Sequence, residues 1–299
     1  AAPFAQAQDL LKRLEALAWE GKPPPMGKQM VRLPLHPRLA HMVVKGKSTL
    51  AADLAALLSE RDGLPRDVGV DITARLSHLR GGARDRIRQT AKQIRQIAGI
   101  GADEESGVSA GVLIAYAFPD RIAQRRGGDR RYRLSGGGGA VLPEHDGLVT
   151  QDFLAVATTD GASGDQKIFL AAPLSLHEIE EHFGDQIEAR DGVFWDGRAK
   201  AVSASKSRRL GALVLEEKPS TSADPSLIAE AMTQGVREIG LAALPWTDGA
   251  KALRARAMFL RRLYPEEGWP DLSDDALLAG LSGWLTPYLA GISRRAHLE

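Results

Sequence analysis

The sequence predicts an α+β chain of several domains: a helical block, a small antiparallel barrel-like β region and a helical C-terminal segment. Three observations carry this. Apolar residues recur at helical spacing through residues 1–126. Between about 131 and 216 the pattern changes to short alternating strands separated by glycine-rich turns. After a Pro-, Ser- and Thr-rich linker, Lys218–Pro225, helical spacing returns. At 299 residues the chain exceeds one average domain, and 43% hydrophobic with 26% charged residues is enough for real cores.

Each element has a local reason. Leu10, Leu11, Leu14 and Leu17 form one stripe of a helix over Pro3–Ala18, ended by Gly21 and the Pro23-Pro24-Pro25 run. Ser48 caps a helix to Leu58, closed by Gly63 and Pro65, and Asp71–Leu79 is helical up to Gly81-Gly82. The helix Ala83–Ala98 sets Ile87, Ala91, Ile94 and Ala98 on one side and Arg84, Arg88, Lys92 and Arg95 on another. A polar stretch then leads into a helix over Val108–Arg126.

Strands follow at Arg131–Ser135, Ala140–Leu142, Leu148–Thr158 and Lys167–Ala172. Ser175 and Glu178 form a capping box for one short helix to Phe183. Strands resume at Gln186–Ala189, Val193–Asp196, Lys200–Ser205 and Leu210–Glu216. A small Greek-key barrel of the OB type fits this order, and a seven- or eight-stranded sandwich competes with it. Three terminal helices start at Asp224 with Pro225, at Thr247 or Asp248, and at Ser273.

Composition narrows function. With no cysteine, disulfides, thiolate metal sites and thiol nucleophiles are excluded, which fits a reducing, cytoplasmic setting. No apolar run reaches the roughly 20 residues that span a bilayer. Several motifs resolve into plain structure. Gly46-Lys47-Ser48 lacks the earlier glycine of a phosphate loop, since His41 stands there, so Ser48 reads as a cap. Gly107-Val108-Ser109-Ala110-Gly111 has nucleophile-elbow spacing, yet a polar stretch and not a strand precedes it, so a helix start is expected. His177 and His182, like His36 and His41, are five apart and leave one helical face, so no metal site is expected. Gln124-Arg125-Arg126-Gly127 departs from an arginine-finger motif, and Ser135–Gly139 reads as a hairpin turn.

Charge distribution is more telling than the net charge of +1. Residues 1–214 hold 30 basic against 26 acidic side chains, and residues 215–299 hold 9 against 12. Arg121, Arg125, Arg126, Arg130, Arg131 and Arg133 fall within thirteen residues, and Arg198, Lys200, Lys206, Arg208 and Arg209 form a second cluster. Arginine forks suit phosphate oxygens and give affinity without reading sequence. Tyr116, Phe118 and Tyr132 flank the first cluster, while Trp246, Trp269 and Trp284 lie on apolar stripes and read as core.

Leu33–Met42, Ala115–Arg126, Phe169–Leu174, Arg209–Leu215, Leu244–Thr247, Trp269–Ser273 and Trp284–Leu289 together resemble the HrpB family of bacterial DEAH-box ATP-dependent RNA helicases, in family order. By that resemblance, residues 1–32 are a winged-helix remnant, 33–126 a helical ratchet domain and 127–217 an OB-like β-barrel. Residues 218–299 begin a truncated family-specific C-terminal region. The chain departs from the family at Pro23-Pro24-Pro25, where a leucine-threonine pair is usual, and at Gly136–Gly139, which lacks the usual asparagine and arginine.

The resemblance implies a cytoplasmic accessory module that grips single-stranded RNA beside its own motor domains. The motor motifs are absent from this chain, so the expectation is no catalysis by the fragment and no cofactor in it; ATP and magnesium belong to the motor of the parent. Candidate RNA contacts are Arg121, Arg125, Arg126, Arg131 and Arg133, then Lys200, Lys206 and Arg208, then Arg84, Arg88, Lys92 and Arg95. The alternative is a protein-interaction scaffold built on the acidic, tryptophan-bearing terminal helices. A serine hydrolase at Ser109 is a remote third.

Overall fold

Caps and prolines fix where the helices of this chain begin. The structure, a computed structural model, describes residues 2–18, 22–59, 69–78, 85–102, 104–105, 107–162, 164–220 and 222–298. The helical block comprises α1 (Ala2–Arg13), α2 (Pro25–Met30), α3 (Pro37–Gly46), α4 (Thr49–Ser59), α5 (Ile72–His78), α6 (Asp85–Ala98) and α7 (Ala110–Ala117). α1 stops at Arg13 and not at Ala18, because Leu14 is drawn into the core and Glu15 adopts left-handed backbone, φ 54°. The expected stops at Gly21, Gly63, Pro65 and Gly81-Gly82 lie outside the described residues.

The motif-like serines are caps. The His36 Nδ1 accepts the Arg38 backbone N–H at the start of α3, and Lys47 closes that helix in left-handed backbone, φ 36°. Ser48 Oγ accepts the Ala51 N–H at 3.2 Å, and Ser109 Oγ accepts the Val112 N–H at 3.3 Å. The helix expected over Val108–Arg126 ends at Ala117. Pro119 has no N–H to continue it and disfavours helical backbone at Phe118. A 3₁₀ turn, Pro119–Arg121, turns the chain directly into a strand.

That strand, β1 (Ile122–Arg125), starts a closed five-stranded barrel with β2 (Arg131–Leu134), β3 (Gly139–Val141), β4 (Phe153–Thr159) and β5 (Asp165–Leu174). The order is β1-β2-β3-β5-β4, returning to β1, with β3–β5 parallel and every other pairing antiparallel. The interior holds Ala123, Tyr132, Leu134, Ala140, Leu142, Leu154, Val156 and Ile168. Tyr132 is fully buried, and its hydroxyl lies within donating distance of the Gln151 carbonyl (2.9 Å) and the Leu148 carbonyl (3.1 Å). Burial pushes that hydroxyl up to about 12, which keeps it a donor. The single strand expected over Leu148–Thr158 divides, because Asp146 Oδ1 accepts the Leu148 N–H and caps a 3₁₀ turn at Gly147–Thr150.

Arg38 ties the helical block to the barrel entry. Its guanidinium grips the Asp120 carboxylate at 2.5 and 3.0 Å and donates to the Ala117 carbonyl at 3.1 Å. Burial raises the Asp120 pKa, but the Arg38 hydrogen bonds and charge outweigh it and hold the carboxyl below its usual value. The capping box expected at Ser175 and Glu178 is present at the start of α8 (Leu176–Phe183).

The chain divides into two compact units: residues 1–188 with 209–213, and residues 189–208 with 214–299. The later strands, β6 (Ile187–Asp196), β7 (Ala201–Leu210) and β8 (Leu213–Pro219), form a separate three-stranded sheet. The barrel expected over 127–217 therefore starts earlier and ends sooner, at Leu174. Five strands already close it and leave no edge for a sixth. In the first unit, Gly211 (φ 56°) sits so close to Ser135 that a Cβ would fall 2.3 Å from its carbonyl oxygen.

The second unit adds α9 (Pro225–Ile239), α10 (Asp248–Leu263), α11 (Asp274–Ala279) and α12 (Leu281–Trp284), capped by Asp224, Thr247 and Ser273 as the sequence predicts. The third predicted helix breaks at Gly280. Its core gathers Trp195, Met232, Val236, Leu281, Leu285 and Leu289, with Trp246 and Trp284 packed against it. Among the described residues, no helix is long and apolar enough to cross a membrane.

Two predictions follow from packing. A Cβ at Gly235 would fall 2.4 Å from the Trp195 ring. Alanine in a helix interior gains about 1 kcal/mol over glycine, but overpacking of this kind costs roughly 1–3 kcal/mol. Gly235→Ala should therefore lower the melting temperature of the second unit; a rise would show that the ring moves aside freely. The second concerns His41, buried on α3 with Nδ1 2.7 Å from the Tyr116 carbonyl and Nε2 without a hydrogen bond among the described residues. Burial lowers its pKa below 6.5, outweighing the Tyr116 carbonyl and Glu15, which raise it; Lys45 adds to the lowering. The unfolded chain protonates first, so this contribution is full above about pH 6.5 and is lost as pH falls toward the folded value. Urea midpoints should drop between pH 7.5 and 5.0 more steeply in the wild type than in His41→Gln. Equal drops would refute this.

Candidate nucleic-acid interface

Alternation along barrel strands decides which side chains point outward, and register decides which of them meet. On β2, Tyr132 and Leu134 turn inward, so Arg131 and Arg133 face out. Gln124 of β1 pairs with Arg133, and one step beyond β1 the Arg126 N–H donates to the Arg131 carbonyl at 2.8 Å. Across the other edge, Arg131 pairs with Val141, and Val141 with Lys167 of β5. Arg126, Arg131, Val141 and Lys167 thus form one row across four strands, about 14 Å long at the usual strand spacing. Gln124, Arg133, Gly139 and Asp165 form the next.

The row is exposed and under-neutralised. The Arg131 side chain is 63% exposed, with Nε 3.6 Å from Asp129 and 3.9 Å from Asp165. Arg126 and Arg133 are exposed without an ion pair among the described residues. Like charges facing each other across a strand pair oppose folding, and an anion along the row would relieve that.

The sequence-predicted candidates separate. Arg126, Arg131 and Arg133 come together on this face. Arg121 does not: it donates to the Ala157 carbonyl at 2.9 Å and lies 5.0 Å from the Phe118 ring centre, with Arg38 5.2 Å from the same ring. Arg125 is paired to Asp152 at 2.6 Å, and its N–H also donates to the Asp152 carbonyl. Both hold the fold together. On α6, Arg88 and Lys92 are exposed, Ala91 and Ile94 are buried, and Arg95 is half-buried. Burial raises the Asp53 carboxyl while Arg95 pulls it down. Arg84 lies outside the described residues. In the second unit, Lys200 sits in a turn with φ 49°, and Lys206 and Arg208 are exposed on either side of buried Ser207 on β7.

Tyr116 and Tyr132 are buried, which removes them as stacking partners. Phe169, 48% exposed on β5, is the aromatic ring presented on the barrel surface. Lys167 and Phe169 were not predicted as site residues. Period-two alternation through Asp165-Gln166-Lys167-Ile168-Phe169-Leu170, with Ile168 and Leu170 inward, was the signal that could have found them.

Residues 186–220, the three-stranded sheet, match the family model described as the connector region of ATP-dependent RNA helicase HrpB. Over 292 residues the chain is 33% identical to the ATP-dependent RNA helicase HrpB of Escherichia coli (strain K12), covering 96% of this chain and 35% of that protein. A crystal structure of the E. coli DExH-box NTPase HrpB superposes on 99% of this chain and 36% of its own, at TM-score 0.66 and 30% identity. A second, of the E. coli DEAH/RHA helicase HrpB, covers 100% of this chain and 37% of its own at TM-score 0.66 and 28% identity. The chain thus spans about a third of the length of the relatives it matches. That likeness runs along nearly the whole chain, and its three-stranded sheet carries the connector match, so the chain is similar to a part of HrpB about a third of its length.

Proposed function

We propose that this chain is an RNA-engaging accessory module of a cytoplasmic ATP-dependent RNA helicase, holding single-stranded backbone along the outer face of its barrel. The exposed row of Arg126, Arg131 and Lys167, flanked by Arg133, carries the proposal. The name of its E. coli relative supports the parent activity. In this reading ATP and magnesium are held by the parent's motor domains, and the chain itself supplies grip and no catalysis. The strand order β1-β2-β3-β5-β4 supports assigning the barrel to the OB type. The helical block would serve as the ratchet, with residues 1–32 as the winged-helix remnant.

A second reading, protein contact through the second unit, is favoured by α10. That helix buries Ala257 but leaves Leu253, Phe259 and Leu263 largely exposed. Charge on the barrel and an apolar stripe on α10 can coexist, so the two readings predict independent losses on mutation.

The first is tested by anisotropy titration of a 12-nucleotide single-stranded RNA. Raising salt from about 50 to 200 mM should weaken binding roughly 10- to 50-fold, the response of three or four neutralised phosphates. Replacing Arg126, Arg131 and Arg133 with alanine together should flatten the logarithmic salt slope by about 2. Arg121→Ala should instead lower the melting temperature. A triple variant that binds with the wild-type slope would refute the assignment of the row.

A further inference from the structure

We propose that Phe169 is a base-stacking platform at the end of the cationic row, so that the barrel takes a nucleobase as well as the backbone of single-stranded RNA. The inference rests on the RNA reading above and adds to it a second kind of contact. Backbone charge alone would make the barrel indifferent to whether bases are present. A ring beside that charge would not be indifferent.

Three observations place the ring for this role. Ile168 and Leu170 are buried in the barrel wall while Phe169 is 48% exposed, so strand alternation fixes the ring outward. Phe169 stands two residues beyond Lys167, about 7 Å along the strand, on the same outer face as Lys167 and Arg131. That separation is the reach from a phosphate to the base of its own nucleotide. A concavity of about 810 Å³ opens beside the ring, walled by Arg75, Pro143, Glu144 and His145.

The wall is held in place. His145 sits in left-handed backbone, φ 63°, a conformation uncommon outside glycine. Next to it, the Asp146 carboxylate accepts the Val70 N–H at 3.0 Å through one oxygen and the Leu148 N–H at 3.0 Å through the other. Glu144 is paired with Arg130 at 3.2 Å. Strained backbone fixed by its neighbours is a feature of binding loops. Here it puts the exposed His145 imidazole and Glu144 carboxylate where a base edge stacked on Phe169 could meet them.

The surroundings favour a base over a protein side chain. An aromatic anchor at a protein interface is ringed by contacts that exclude water. Phe169 instead shares its concavity with Arg75, Glu144, His145 and Lys167. Stacking on a base tolerates such a charged, wet rim, and combines with it in single-strand grooves.

The test uses the full 299-residue chain, a 12-nucleotide RNA and an oligomer of the same ribose-phosphate backbone without bases. Phe169→Ala should weaken RNA binding about 5- to 100-fold, with the salt slope and the affinity for the base-free oligomer unchanged. Phe169→Trp should keep the affinity and report RNA by quenched indole fluorescence. Equal RNA affinity in Phe169→Ala and wild type, while the arginine variants weaken it, would overturn the platform alone. Equal losses toward both oligomers would overturn it too. Failure of the wild type to bind either oligomer at about 50 mM salt would overturn the RNA reading and the platform together.

Discussion

Closure of the five-stranded barrel is the constraint on which the rest of the first unit depends. β1 pairs with β2 on one side and β4 on the other, and the parallel β3–β5 pairing completes the ring. A closed sheet has no free edge, so no strand can slip without breaking a pairing on both of its sides. The buried Tyr132, anchored through its hydroxyl to the turn that precedes β4, fixes the inward parity of β2. Once that parity is set, Arg131 and Arg133 have only the outside to face. Register carries the same choice to Arg126 and Lys167. The charged face is thus a consequence of core packing on the other side of the same strands.

The helical block packs on the barrel along α7, where a Cβ at Gly111 would fall 2.0 Å from the Pro173 carbonyl oxygen, and through Val70, whose carbonyl accepts the Ala171 N–H; a third set of contacts surrounds Phe118. Pro119 ends α7, Arg38 clamps Asp120 and the Ala117 carbonyl, and Arg121 reaches the Ala157 carbonyl of β4. Two guanidinium groups over one ring would repel in isolation. The Asp120 carboxylate between them offsets that, and its depressed pKa records the stabilisation. These arginines therefore act as structural cations, although the sequence groups Arg121 with the surface cluster. The distinction between structural and available charge lies in partners contributed by residues far away in sequence.

Much of the fold was legible in the sequence because local chemistry set it. Ser48, Ser109, Ser175, Asp224, Thr247 and Ser273 all cap helices, and each carries its own signal in the next three residues. The apolar stripe of α6 was equally plain. What escaped were tertiary matters. From sequence, β1 reads as part of a helix, because Ile122 and Ala123 continue the apolar spacing of α7 and only Pro119 argues otherwise. The end of the barrel at Leu174 depends on which strands pair, and strand count does not encode pairing. Of the candidate arginines, the cluster itself is plain in the sequence, but which of them carry partners is not. The Arg125 charge is paired by Asp152, twenty-seven residues away, while Lys167 joins the row from β5. Phe169 was hidden because an isolated phenylalanine in a strand reads as core until its parity is known.

In the proposed function, RNA is held on the barrel's outer face and on neither α6 nor β7. Its most direct measurement is ultraviolet crosslinking of a photoreactive single-stranded RNA to the whole chain, with the modified peptides identified by mass spectrometry. Crosslinks on the peptides carrying Arg126–Arg133 and Lys167–Phe169 are the predicted result. Crosslinks confined to the peptides of α6 or of Lys200–Arg208, with the barrel face unmodified, would contradict it.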